Sequence, residues 1–139
     1  MSEEIRLSPD GERVLAEAQS FCVRANVAIV GAEHLLAGAL VVLSESGNTG
    51  VPARRDIEAA LMLAQGHADD AHGNQVMFGS GSRDAINATA KAVGDAGGTL
   101  IKAATLALGT IDSGAVSPMF YQSLGTSPAA LRAAIASRE

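Results

Sequence analysis

Shifted by 71 residues, the chain superposes on itself. Leu7 then falls on Phe78 and Val30 on Ile101, and at the same spacing Leu15 meets Ile86, Leu35 meets Leu106 and Leu40 meets Ile111. A repeated unit of this kind leaves an apolar face that it cannot bury alone, so two copies imply two stacked units that share one core. The first repeat spans about 5–65 and the second about 78–136. The polar stretch "GHADDAHGNQ", within about 66–77, is the linker between them. At 139 residues the whole of 1–139 fits a single compact domain.

Each unit reads as helical. In repeat one Ser8 is an N-cap, Pro9 suits the first helical position, and Asp10 and Glu12 favour the positive end of the dipole. Apolar residues recur at Val14, Leu15, Ala18, Phe21, Cys22 and Ala25, which is the helical period. Asn26 ends this helix, and 27–30 is a short connector. A second helix is expected from about Ala32 to Leu43, with Val30 set to staple against Leu35. The loop "SESGNTGVP" leads to a third helix from about Pro52 to Gln65. Repeat two returns the same order. "RDAINATAKAVGDAGG" carries one apolar face and stops at Gly97 and Gly98, and "LIKAATLALGTI" is a second short apolar helix. Ser117-Pro118 and Ser127-Pro128 each start another helix, with Gly125 as the stop between them. Aromatics are only 3% and Trp is absent, so the core is built from Ala, Leu, Val and Ile. The expected fold class is all-α, with two repeats of about four helices each related by a pseudo-two-fold axis. Leu15, Leu35 and Leu36 are expected beside Ile86, Leu106 and Leu108.

Several function classes drop out. Net charge is −5, and Lys and Arg form no cluster, so no nucleic-acid partner is expected. No apolar run is long enough to span a membrane, and "MSEEIRLSPDGE" is too acidic and polar for a signal peptide. The single Cys22 excludes an internal disulfide and fits a reducing cytoplasm. The pattern G-x-x-x-x-G-K-[ST] is missing, so neither ATP binding nor its hydrolysis is expected, and no cofactor is implied.

The polar residues that interrupt this apolar chain are the candidate site. Glu33 and His34 open the second helix side by side. A zincin needs two His one turn apart, and positions 37 and 38 hold no metal ligand. His34 therefore reads as structural, its ring nitrogens bonded to loop backbone, because an unsatisfied buried imidazole is costly. Glu33 has two readings: a carboxylate favoured by the helix dipole, or an acceptor for a partner's guanidinium. Ser8 is a cap, and a helix start can also hold a phosphate. "HADDAH" offers His67, Asp69, Asp70 and His72 as metal ligands, but a polar linker rarely supplies converging geometry. No metal site is expected. Cys22 lies on an apolar face as an inert thiol, and Ser44 and Ser46 lack a nucleophile-elbow pattern.

"LSPDGERVLAEAQSFCVRANVAIVGAEHLLAGAL" resembles, without a gap, the first repeat of the Clp amino-terminal domain, which heads the Clp (Hsp100) unfoldases, and is most like the ClpC type. The resemblance rests on Ser8, Val14, Leu15, Ala18, Val30, Gly31, Glu33, His34 and Leu36; the second half, from Phe78 to Ile135, is a degenerate second repeat. It implies a non-enzymatic domain that binds Clp substrates, adaptors or the Clp machinery itself, here without ATPase modules, as an adaptor or a decoy. It also implies that Ser8 and Glu33 could bind phosphorylated arginine. Three positions depart from the family. The loop after Leu40 is too short for the usual extra helix, Glu33 and His34 are matched by Ala104 and Thr105, and Ser8 is matched by Gly79. Phosphoarginine is thus expected at repeat one alone. Two other classes remain open: a small metal-dependent hydrolase using Glu33, His34 and the linker, and a structural protein that self-associates through Ala-rich helices.

Overall fold

The structure, a computed structural model, describes residues 5–25, 29–47, 51–65 and 77–136. Repeat one holds β1 (Arg6–Leu7), α1 (Pro9–Ala25), β2 (Ile29–Val30), α2 (Ala32–Glu45) and α3 (Arg54–Gln65). Repeat two holds β3 (Met77–Phe78), α4 (Ser80–Asp95), β4 (Leu100–Ile101), α5 (Ala103–Asp112), α6 (Pro118–Leu124) and α7 (Pro128–Ala136). The all-α reading is right, and the strands are two-residue bridges between helices. Adding 71 to the start of β1, α1, β2 or α2 gives the start of β3, α4, β4 or α5.

The start signals act as read. Gly11 N–H donates to Ser8 Oγ at 3.2 Å, which makes Ser8 the N-cap of α1. Ser117 Oγ accepts from Met119 N–H and Ser127 Oγ from Ala130 N–H, each at 3.2 Å, at the heads of α6 and α7. Gly125 ends α6 at φ 75°, a left-handed conformation that glycine adopts without cost. Helix α2 runs to Glu45, beyond the expected Leu43, and α3 starts at Arg54 rather than Pro52. Asn26 and most of the linker lie outside the described residues. Repeat one has three helices among the described residues and repeat two has four. The counterpart of α6 falls at about 47–53, between α2 and α3, and 48–50 lie outside the described residues.

The strands pair across the repeats. β1 pairs with β4 in parallel, with Arg6 opposite Leu100 and Leu7 opposite Ile101. β2 pairs with β3 in parallel, with Ile29 opposite Met77 and Val30 opposite Phe78. Adding 71 to the β1 positions and subtracting 71 from the β4 positions yields the β3–β2 register, so the two ladders exchange under the pseudo-two-fold. The same holds one residue on: Ser8 N–H donates to the Ile101 carbonyl and Gly79 N–H to the Val30 carbonyl, both at 3.0 Å.

One large core joins the halves. Leu35, Leu36 and Leu106 are fully buried in it, and Leu15, Ile86 and Leu108 pack against it, as the repeat predicted. Each fully buried Leu contributes roughly 1.5–3 kcal/mol. The expected staple is not made. Val30 packs with Ala18, Cys22 and Phe78, apart from the cluster that holds Leu35, because pairing with β3 keeps it beside Phe78. Glycine sets the helix spacing. A Cβ on Gly38 of α2 would lie 2.5 Å from the Val14 carbonyl oxygen and 3.1 Å from the Ala18 nitrogen. Among the described residues, no helix is long and apolar enough to cross a membrane.

Two substitutions test these contacts. Gly38→Ala drives a methyl into the α1 backbone, which cannot rotate away, and should cost about 3 kcal/mol or more. Ser8→Ala should cost about 1 kcal/mol as a lost cap. Both are read as changes in denaturant midpoint at unchanged m-value; a Gly38→Ala protein as stable as the parent would mean that α1 and α2 do not approach this closely.

Candidate functional site

Cross-repeat pairing decides which polar residues can meet. Ser8 follows β1, so it lies beside Ile101–Ala103 at the head of α5. Its hydroxyl faces the Ile101 carbonyl at 3.2 Å and contacts the Asp10 carboxylate. Asp10 Oδ2 accepts from Ala103 N–H at 3.4 Å, so a carboxylate of this chain already sits at the start of α5. Glu33 follows β2, at the pole where β2 meets β3. Its Oε1 accepts from Ser117 N–H at 3.0 Å, and it is half-buried. Val30 packs against Cys22, so the head of α2 is level with the far end of α1. From position 8 to 22 along that helix is roughly 20 Å. The structure therefore does not bring Ser8 and Glu33 together. Each pole keeps one member of the expected pair: Ser8 lies by the head of α5, where Ala104 takes the place that Glu33 has in α2, and Glu33 lies by the head of α4, where Gly79 takes the place that Ser8 has before α1.

Repeat two has moved the hydroxyl rather than lost it. At the 71 offset Ser8 and Gly11 correspond to Gly79 and Ser82. Ser82 is fully buried, and its hydroxyl faces the carbonyls of Val30, at 2.7 Å, and Gly79, at 3.0 Å. It is spent on backbone. His34 is buried, and its Nδ1 accepts from Gly31 N–H at 3.0 Å, which closes the N-terminus of α2. Cys22 is fully buried, and burial pushes its thiol up to about 12, so it stays protonated at neutral pH. Among the described residues no His, Cys, Asp or Glu cluster could hold a metal; His67, Asp69, Asp70 and His72 lie outside them.

A groove of about 340 Å³ opens on repeat two. Thr89 of α4 and Gly109 of α5 form its closest approach: a Cβ on Gly109 would lie 1.8 Å from Thr89 Oγ1. Ala88 and Ala92 line it from α4, Thr105, Leu108 and Asp112 from α5, and Arg132 from α7. Asp112 and Arg132 pair at 3.2 Å with both side chains about half exposed, so they tie α5 to α7 only weakly.

Repeat one explains why the groove exists. Subtracting 71 from Ala92, Asp112 and Arg132 gives Phe21, Val41 and Leu61. These three are buried members of the main core. Repeat one thus fills with its own apolar side chains the space that repeat two leaves open. The groove escaped sequence reading because that reading followed polar residues. The signal was present in the same offset, as three apolar positions that turn small or charged.

No protein-family model matches the chain, and no curated protein matches it in sequence. Among solved structures it is similar to the N-terminal domain of the caseinolytic protease associated chaperone ClpD from Arabidopsis thaliana. The TM-score is 0.76 at 15% identity, over 96% of this chain and 96% of that one. An identity so low carries the fold and no more, and the fold is the one that the repeat, the parallel bridges and the helix order describe. This chain has the Clp N-terminal domain fold.

Proposed function

We propose that the chain is a non-enzymatic protein-binding module whose repeat-two groove takes an apolar side chain from a partner segment. The observation that carries this reading is the contrast between repeats. Phe21 fills repeat one, and Ala92 leaves the matching place in repeat two open to solvent. An aromatic side chain is what this backbone accommodates there, since the sister repeat already holds one. The Clp N-domain fold adds support, because the solved relative is the N-terminal domain of a protease-associated chaperone. The partner is then a Clp substrate, an adaptor or a component of the Clp machinery, and the module acts as an adaptor or a decoy.

A fluorescein-labelled decapeptide with one central Phe and otherwise Ser, Gly and Lys tests this. It should bind the parent saturably, and Phe→Ala in the peptide should weaken binding at least about tenfold, or 1.4 kcal/mol. Ala92→Phe should close the groove, with a similar loss of affinity and no loss of thermal stability. Equal binding by Ala92→Phe and the parent would remove the groove from the reading.

Phosphoarginine belongs to the same proposal in a narrower form. The hydroxyl of Ser8 and the carboxylate of Glu33 would serve separate ligands, one at each pole. Asp10 repels phosphate at the first pole, and Gly79 offers no hydroxyl at the second. Calorimetric titration is expected to show phosphoarginine binding no tighter than free arginine. Tight, phosphate-dependent binding lost in Glu33→Ala would show that one pole suffices.

A further inference from the structure

The groove and the Glu33 pole are not independent. The segment from Ser113 to Ser117, between α5 and α6, joins them. Ser113 caps the C-terminus of α5 and lines the groove next to Asp112. Its hydroxyl accepts from Ala115 N–H at 3.3 Å, and Gly114 takes φ 73°, so the turn is tight. Val116 is buried in the core, and Ser117 N–H ends the segment on Glu33 Oε1. Ser117 then caps α6, whose Tyr121 is buried near both carboxylates. Burial first, then the charges of Asp112 and Glu33, push its hydroxyl up to about 12.

We infer that Glu33 is a positioning residue for the groove, holding the 113–117 segment through Ser117 and so setting Asp112 and Ser113, rather than a group that touches the bound partner. The inference rests on the groove being the docking place. A half-buried backbone N–H that loses its acceptor must find another, and without the Glu33 carboxylate the Ser117 end of the segment is no longer tied to α2. The segment is only five residues long and tightly turned at Gly114, so a displacement of Ser117 moves Val116 in its core site and is passed on to Ser113 and the last turn of α5. Glu33→Gln keeps a carbonyl oxygen where Oε1 stands and loses only the charge. Glu33→Ala loses the acceptor. A positioning role predicts that Gln rescues and Ala does not, whereas direct capture of a cationic partner predicts that both fail.

The experiment has two arms. In the free protein, two-dimensional amide NMR should show the Asp112, Ser113 and Gly114 resonances displaced in Glu33→Ala and in place in Glu33→Gln. Arg13→Ala, which removes an exposed partner of Glu45 in repeat one, is the control and should leave them unmoved. In the second arm, the Phe decapeptide should bind Glu33→Ala roughly three- to tenfold more weakly, the range one hydrogen bond spans, and Glu33→Gln as well as the parent. Resonances unmoved in Glu33→Ala, or moved equally in both variants, overturn the inference. If the parent fails to bind the peptide, the docking reading falls, while the NMR arm still decides whether Glu33 positions the segment.

Discussion

Two ladders of two residues each, β1 on β4 and β2 on β3, fix the rest of this structure. Strands so short have no stability of their own. They persist because helices of both repeats close over them, and they in turn decide which helix ends face each other. Each ladder delivers the head of a first helix from one repeat to the head of a second helix from the other. The parallel direction makes this so: both strands of a pair run out into helices on the same side. The core between α1, α2, α4 and α5 then follows, as does the close approach at Gly38 and Gly109.

Much of this was legible in the chain. The 71-residue offset matched the first two helices of each repeat, Ser-Pro signals placed the starts of α1, α6 and α7, and Gly125 placed the end of α6. The helical class followed from apolar period and from a core poor in aromatics. What could not be read was the pairing between repeats. Sequence proximity suggested that Ser8 and Glu33, both in repeat one, share a site. The ladders separate them by the length of α1 and give each a partner from repeat two. Local signals carry helix starts; they carry nothing about which starts become neighbours.

His34 shows the opposite case. Its reading rested on the cost of an unsatisfied buried imidazole, and the partner is local: the Gly31 N–H at the head of the same helix donates to its Nδ1. Glu33, one residue earlier, points the other way round the helix, so its partner, Ser117, is 84 residues off. Adjacent residues on a helix face different neighbours, about 100° apart. The pair that looked like one feature in sequence is two, one closing its own helix and one tying the repeats together.

The two repeats have diverged in opposite directions from a common plan. At the three positions matching the groove, repeat one buries Phe21, Val41 and Leu61, and Arg54 bridges Glu17 and Glu45 at 2.7 and 2.9 Å over the junction of α1, α2 and α3. Repeat two has Ala92, Asp112 and Arg132 at the first three positions and keeps a groove. The backbone does not force that opening, since the same arrangement closes in the sister repeat. Burying one more aromatic there would add roughly 1.5–3 kcal/mol, a sizeable part of the stability of a domain this size. The same space is closed by Phe21 in repeat one and open at Ala92 in repeat two, and that contrast, not the conspicuous Glu33–His34 pair, is the observation on which the docking proposal rests.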